Sequence, residues 1–308
     1  MDFQFLSKLT RRGFMRVVAM APVPLLLPRT AKSNEAQGTI SYVRAPSTSD
    51  NDPHAAFGWE LLDAVLERTR ATHGDYRLTI SQEATQSVRF RHGVHGADSQ
   101  VNVAILTASP EWNDLLLPVR IPLLRGLLGY RLLLMHRQDL DRFRDIISLA
   151  DLRHVTFGSV HYWADTAILE KAGVPVVIGR SYEGLLKMLL ARRFDVLSVG
   201  VHEVDAEMAA IVNDPANDLV VEPHLLLHYY LPVYFWFSKD EEGHRRAERV
   251  EAGLRSMVAD GTLERMFNAR YGLVIEKYGL VRRTVIELPN PSLAPEDLQD
   301  DARLWYRP

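Results

Sequence analysis

Cysteine is absent from the 308 residues. Its absence excludes disulfides, thiolate metal sites and cysteine nucleophiles, while leaving an oxidising compartment open. Long basic runs are missing beyond the N-terminus and the formal charge is only -3, so no nucleic acid partner is expected. There is no Walker loop, no nucleophile elbow and no G-x-G-x-x-G after a strand. The usual signatures of phosphate, acyl-transfer and dinucleotide chemistry are therefore lacking. Neither an enzyme nor a cofactor is the expectation. What remains is an ordinary globular balance, 47% hydrophobic and 24% charged, in a chain long enough for one large domain or two modest ones.

The N-terminal stretch LTRRGFMRVVAMAPVPLLLPRTAKS carries a basic region, an apolar segment from Val17 to Leu27, and then small and polar residues. The apolar segment is short of the ~20 residues that span a bilayer. Thr10-Arg11-Arg12-Gly13-Phe14-Met15-Arg16 resembles the twin-arginine export motif. Residues 1–36 are expected to be an export signal, cleaved between Ala31 and Ala36, that delivers the protein to the periplasm. A retained membrane anchor is the alternative. Removing this leader leaves a mildly acidic protein.

Beyond it the pattern alternates. GTISYVRA, YRLTISQE and VNVAILTA read as strands, and FGWELLDAVLERTRATHG as a helix with Leu61, Leu62, Val65 and Leu66 at helical spacing. A short helix is also expected within Thr85 to Arg91. After the extended run IPLLRGLLGYRLLLMHRQ comes a second set: VTFGSV, TAILEKAG, VPVVIG, SYEGLLKMLLARR and FDVLSVG. A further apolar run, DLVVEPHLLLHYYLPVYFWFSKD, precedes a helical segment interrupted near Asp260-Gly261. LLLHYYLPVYFWF reads as a central strand running between lobes, with Pro232 at the bend. The order of strands and helices implies parallel α/β sheets.

In this order the segments GWELLDAV, LTASPEW, GLLGYRLLL, DLRHVTFGSV, SYEGLLKMLLARRFDVLS and ADGTLERMFNARYG resemble the periplasmic solute-binding proteins of bacterial ABC transporters, in the branch of polar amino-acid receptors (extracellular solute-binding family 3). The resemblance implies a type II periplasmic-binding-protein fold. In that α/β fold two lobes, each a mixed and mostly parallel sheet covered by helices, close on a solute. Lobe one then comprises 37–125 plus 236–280, lobe two 126–235, and 281–308 an irregular tail. It also implies a monomer that captures a small organic solute and serves a membrane permease, with a ligand-sensing receptor as one alternative. A dehydratase-like enzyme on the same scaffold is another, using His161 with Asp165 or His202 with Glu203.

The resemblance places Tyr42, Arg44, Trp59, Thr107, Trp112, Arg120, Ser159, Tyr162, Trp163, Thr166 and Glu203 at the ligand. Two departures stand out. The position of the carboxylate-clamping arginine holds Trp112, and the acid expected beyond FDVLSVG is replaced by Val199-Gly200, with His202 and Glu203 nearby. Ordinary α-amino acids are therefore not the expected solute. A molecule with a flat or apolar portion fits better, with one anionic group directed at the helix after Ser159. Asp165 either caps that helix or faces the ligand; Arg44, Arg120 and Arg125 either charge the cleft or form structural ion pairs. His224 and His228, with Glu222 and His202, invite a metal reading. In an extended segment, however, i and i+4 lie ~13 Å apart, and no metal is expected.

Overall fold

The computed structural model describes residues 39–44, 53–81, 101–212 and 217–308. The leader and the helix expected within Thr85 to Arg91 lie outside the described residues.

Strand β1 (Ile40–Arg44) leads toward the helix Pro53–Arg68, whose Phe57, Leu61, Leu62, Val65 and Leu66 are all buried, one apolar stripe facing the core. β2 (Tyr76–Ile80) returns parallel to β1, in register from Ile40 opposite Tyr76 to Arg44 opposite Ile80. β3 (Ala104–Thr107) is tied to β1 by the Arg44–Val103 bridge, and β4 (Leu117–Val119) completes the first pass. The chain then leaves for a second sheet of seven strands. β5 (Tyr130–His136) lies antiparallel to β8 (Val196–Gly200), while β6 (Phe157–Val160) and β7 (Val176–Gly179) run parallel on the far side of β8. β9 (Leu219–Val221) and β10 (Leu225–His228) also pair with β5.

β11 (Val233–Phe237) re-enters the first sheet between β3 and β4, antiparallel to both. The β3–β11–β4 sheet, beside which β1 and β2 form a separate parallel pair, and the seven-stranded sheet thus each contain one antiparallel strand that has just arrived from the other. The apolar run expected as a single central strand is instead two strands, β10 in one sheet and β11 in the other, with every residue of both buried. Helix Glu241–Ala259 covers β4 and β11, and Thr262–Lys277 packs against it in turn, the two separated where Gly261 takes a left-handed φ of 74°. Arg249, fully buried, donates to the carbonyls of Leu66 (3.1 Å) and Gly74 (2.9 Å), fixing the turn between the first helix and β2.

The two crossings run side by side. Tyr229 donates its backbone N–H to the carbonyl of Gly129 at 3.2 Å. A Cβ on Gly129 would lie 1.8 Å from the Tyr229 carbonyl oxygen, so only glycine permits this approach.

The C-terminal segment corrects the expected irregular tail. Its proline and acid content disguises β12 (Thr284–Glu287), which adds parallel to β10, and two short 3-10 turns. The segment then straps the crossings. Asp297, with no exposed surface, lies 3.4 Å from Arg120, and Tyr234 donates to its backbone carbonyl at 3.3 Å. Trp305 sits over Gly126, Tyr306 donates its N–H to the Arg125 carbonyl at 2.6 Å, and Tyr130 donates to the Tyr306 carbonyl at 3.1 Å. Among the described residues no helix is long and apolar enough to cross a membrane.

Candidate functional site

Open α/β sheets place ligands beyond the C-terminal ends of their parallel strands. At the ends of β6 and β8 a cavity of about 400 Å³ opens between the two sheets. Thr107, at the end of β3, faces it from the first sheet, and Leu128 and Leu231 come from the two crossings. The second sheet supplies Tyr162, Trp163, Tyr182, Val199, Glu203 and Glu207.

Arg131, on β5, forms the charged wall together with Asp165. Its Nη2 donates to an Asp165 carboxylate oxygen at 2.5 Å and its Nε to the Ser198 hydroxyl at 3.3 Å. The Tyr229 phenol donates to the other Asp165 oxygen. All four groups are buried. Burial favours a neutral guanidine, but the charges of Asp165 and Glu203 and the hydrogen bond to Asp165 outweigh it and hold Arg131 protonated. The same burial raises the Tyr229 phenol well above its ordinary value. The pair is closed on itself, its charge matched internally.

This arrangement settles the expected role of Asp165. It neither caps the helix Ala164–Lys171, whose N-cap position is Trp163, nor pairs with His161, which is exposed. Its carboxylate occupies the first turn, where an anionic ligand group was expected. Ser159 and Thr166 are likewise spent: their hydroxyls lie 2.7 Å apart and Thr166 donates to the Val160 carbonyl at 2.8 Å, both residues buried.

Glu203 returns toward the end of β8 three residues after Gly200, accepting the Gly200 N–H at 3.3 Å, with His202 Nε2 3.2 Å from its other oxygen. A Cβ on Gly200 would lie 2.2 Å from the His202 ring, which leaves no room there for the acid that the resemblance leads one to expect. Glu207 accepts a hydrogen bond from the Tyr182 phenol. Desolvation, with the neighbouring charge of Glu203, raises the Glu207 pKa above its ordinary value despite that bond. A carboxyl group so raised favours the fold while protonated. That contribution is complete below its unfolded pKa and is lost as pH rises through the folded one. Glu207→Gln should therefore be slightly more stable than the parent at neutral pH, by about 1–2 °C in Tm, with the difference vanishing in acid. A thermal melt across pH checks it, and a destabilised variant at neutral pH would contradict it.

Of the residues expected at the ligand, the cavity brings together Thr107, Tyr162, Trp163 and Glu203. Tyr162 is 74% exposed, and the Trp163 ring lies 6.2 Å from that of Tyr182. The others fall elsewhere. Tyr42 has no exposed surface and packs edge-on against Phe237, in the core rather than the cleft. Arg44 lies 5.1 Å over the Trp59 ring, a cation–π pair apart from the cavity-lining residues. Trp112 packs against the cluster of Ala104, Ala108, Tyr234 and Trp236. Arg120 donates to Asn113 at 2.8 Å and faces Asp297, while Arg125 pairs with Glu264 at 2.9 Å. These two arginines fasten structure. Arg131, Tyr182 and Glu207 were not singled out in the sequence. For Arg131 the available signal was one charge inside the apolar run YRLLLMH.

The histidines separate. His224 Nδ1 lies 2.5 Å from Glu222, whereas His228 stacks on Tyr130 and lies 2.6 Å from Glu287. Among the described residues no three His, Cys, Asp or Glu side chains gather as metal ligands.

No protein-family model and no curated protein matches the chain. Solved structures do. The probable amino-acid ABC transporter extracellular-binding protein ytmK from Bacillus subtilis aligns with a TM-score of 0.53 at 15% identity, over 76% of this chain and 97% of its own. An amino-acid ABC transporter substrate-binding protein from Streptococcus pneumoniae, bound to L-arginine, aligns at 0.49 and 12% identity, over 76% and 94%. A Salmonella typhimurium periplasmic binding protein of high arginine specificity aligns at 0.48 and 14%, over 76% and 99%. With its two exchanged antiparallel strands and the first of these alignments, the chain has the two-lobed α/β fold of the periplasmic solute-binding proteins.

Proposed function

We propose that the protein is exported to the periplasm, captures a small organic molecule between its lobes, and delivers it to an ABC-transporter permease. The observation that carries this reading is the cavity itself, to which both sheets and both crossings contribute side chains. Ordinary α-amino acids are poor candidates, because Trp112 stands where a clamp arginine is expected and Arg131 is already engaged by Asp165. The test is a thermal-shift screen of the leaderless protein against amines, aromatic acids, amino acids, sugars and dicarboxylates. A solute held in the cleft should lose about ten-fold in affinity when Trp163 is changed to Ala. Unchanged affinity would put the binding elsewhere.

Export through Arg11-Arg12 is tested by changing both to Lys. Precursor should accumulate in the cytoplasm, and normal export would point to another route.

A further inference from the structure

We infer that the captured solute is an organic cation, an amine, guanidinium or quaternary ammonium group on a small apolar body, seated against Glu203, Glu207 and the rings of Trp163 and Tyr182. This rests on the capture reading above and names the chemistry it would select.

The charges around the cavity decide the sign. Among the described residues Arg131 is the one Lys or Arg that lines the cavity, and its charge is answered by Asp165 at 2.5 Å. The remaining charged lining residues, Glu203 and Glu207, are both acidic. An anionic solute would have to break the Arg131–Asp165 pair or sit beside two carboxylates. An uncharged solute avoids that conflict but creates another. Lobe closure withdraws water from Glu207, and a carboxylate losing water without gaining a counter-charge is costly. A cation resolves this, since it brings the missing charge into the space being dried.

The rings point the same way. Trp163 and Tyr182 lie 6.2 Å apart at 34°, and both line the cavity beside the carboxylates. Indole and phenol faces attract cations through their quadrupoles, the more so once desolvated. Leu128, Val199 and Leu231 supply apolar surface for the rest of the molecule. Among the described lining residues an α-carboxylate finds no free Lys or Arg partner. A decarboxylated amine should thus bind better than the amino acid it corresponds to.

The experiment uses matched probes, with calorimetry on the leaderless protein: agmatine against L-arginine, choline against its uncharged isostere 3,3-dimethylbutan-1-ol, and phenethylamine against 3-phenylpropionate. At least one cation should bind, and each binding cation should exceed its partner by about ten-fold or more. Glu203→Gln and Glu207→Gln should each weaken the cation by about ten-fold, with the far-ultraviolet spectrum of the parent retained and no loss of melting temperature. The three head groups distinguish the source of the positive charge. Tighter binding of the neutral or anionic partner, sensitive to Trp163→Ala, would overturn the cation assignment and leave capture in the cleft standing. Silence from all six probes would overturn the cation assignment. Silence across the broader screen as well would overturn capture.

Discussion

Replacing Arg131 by alanine is expected to destabilise the protein by about 3–5 kcal/mol, because it strands the buried Asp165 carboxylate without its counter-ion. For a chain of this size that amounts to a fall in Tm of about 6–15 °C. The loss should come mainly from the abandoned charge rather than from the missing pair. Combining Arg131→Met with Asp165→Asn removes both charges while leaving Tyr229 an acceptor, and it should recover most of the stability. Thermal or denaturant unfolding of the three proteins measures this directly. A loss below ~1 kcal/mol for Arg131→Ala would mean that water reaches the pair. Arg131 would then be available to an anionic solute, against the electrostatic reading of the cavity.

A second large effect is expected at the far end of the chain. Trp305 is buried over Gly126, with its ring 5.0 Å from Tyr230 and its indole N–H donated to the Gln299 carbonyl at 2.8 Å. Trp305→Ala should cost about 3–5 kcal/mol, the range for emptying a large aromatic site. It should also make residues 289–308 susceptible to proteolysis, since their other anchors reach the same crossings. Near-parental stability with an intact tail would show that the strap does not depend on this ring.

The lobe plan was legible because the periods of apolar residues are strong: Leu61, Leu62, Val65 and Leu66 define one helix face, and Gly261 marks the helix break with a conformation that other residues resist. The cleft was only half legible. A tyrosine at a strand end, such as Tyr42, reads alike whether it enters a cleft or a core, and burial alone separates the two. Ser159 and Thr166 look like ligand hydroxyls until the β6 turn brings them within 2.7 Å of each other. Arg131 was hidden for the opposite reason: Asp165 lies 34 residues away, and nothing local marks the partnership. The tail was misread from composition. Its prolines and acids obscure the few apolar residues, Ile286, Leu288, Leu304 and Trp305, that bury it.

Capture between lobes is tested most directly by small-angle scattering with and without the tightest-binding probe. Each lobe provides part of the cavity wall, so binding should draw the lobes together about the paired crossings and lower the radius of gyration. At a probe concentration near the parent's Kd the change should shrink several-fold in Trp163→Ala. A probe that binds tightly, depends on Trp163 and leaves the scattering curve unaltered would contradict the account.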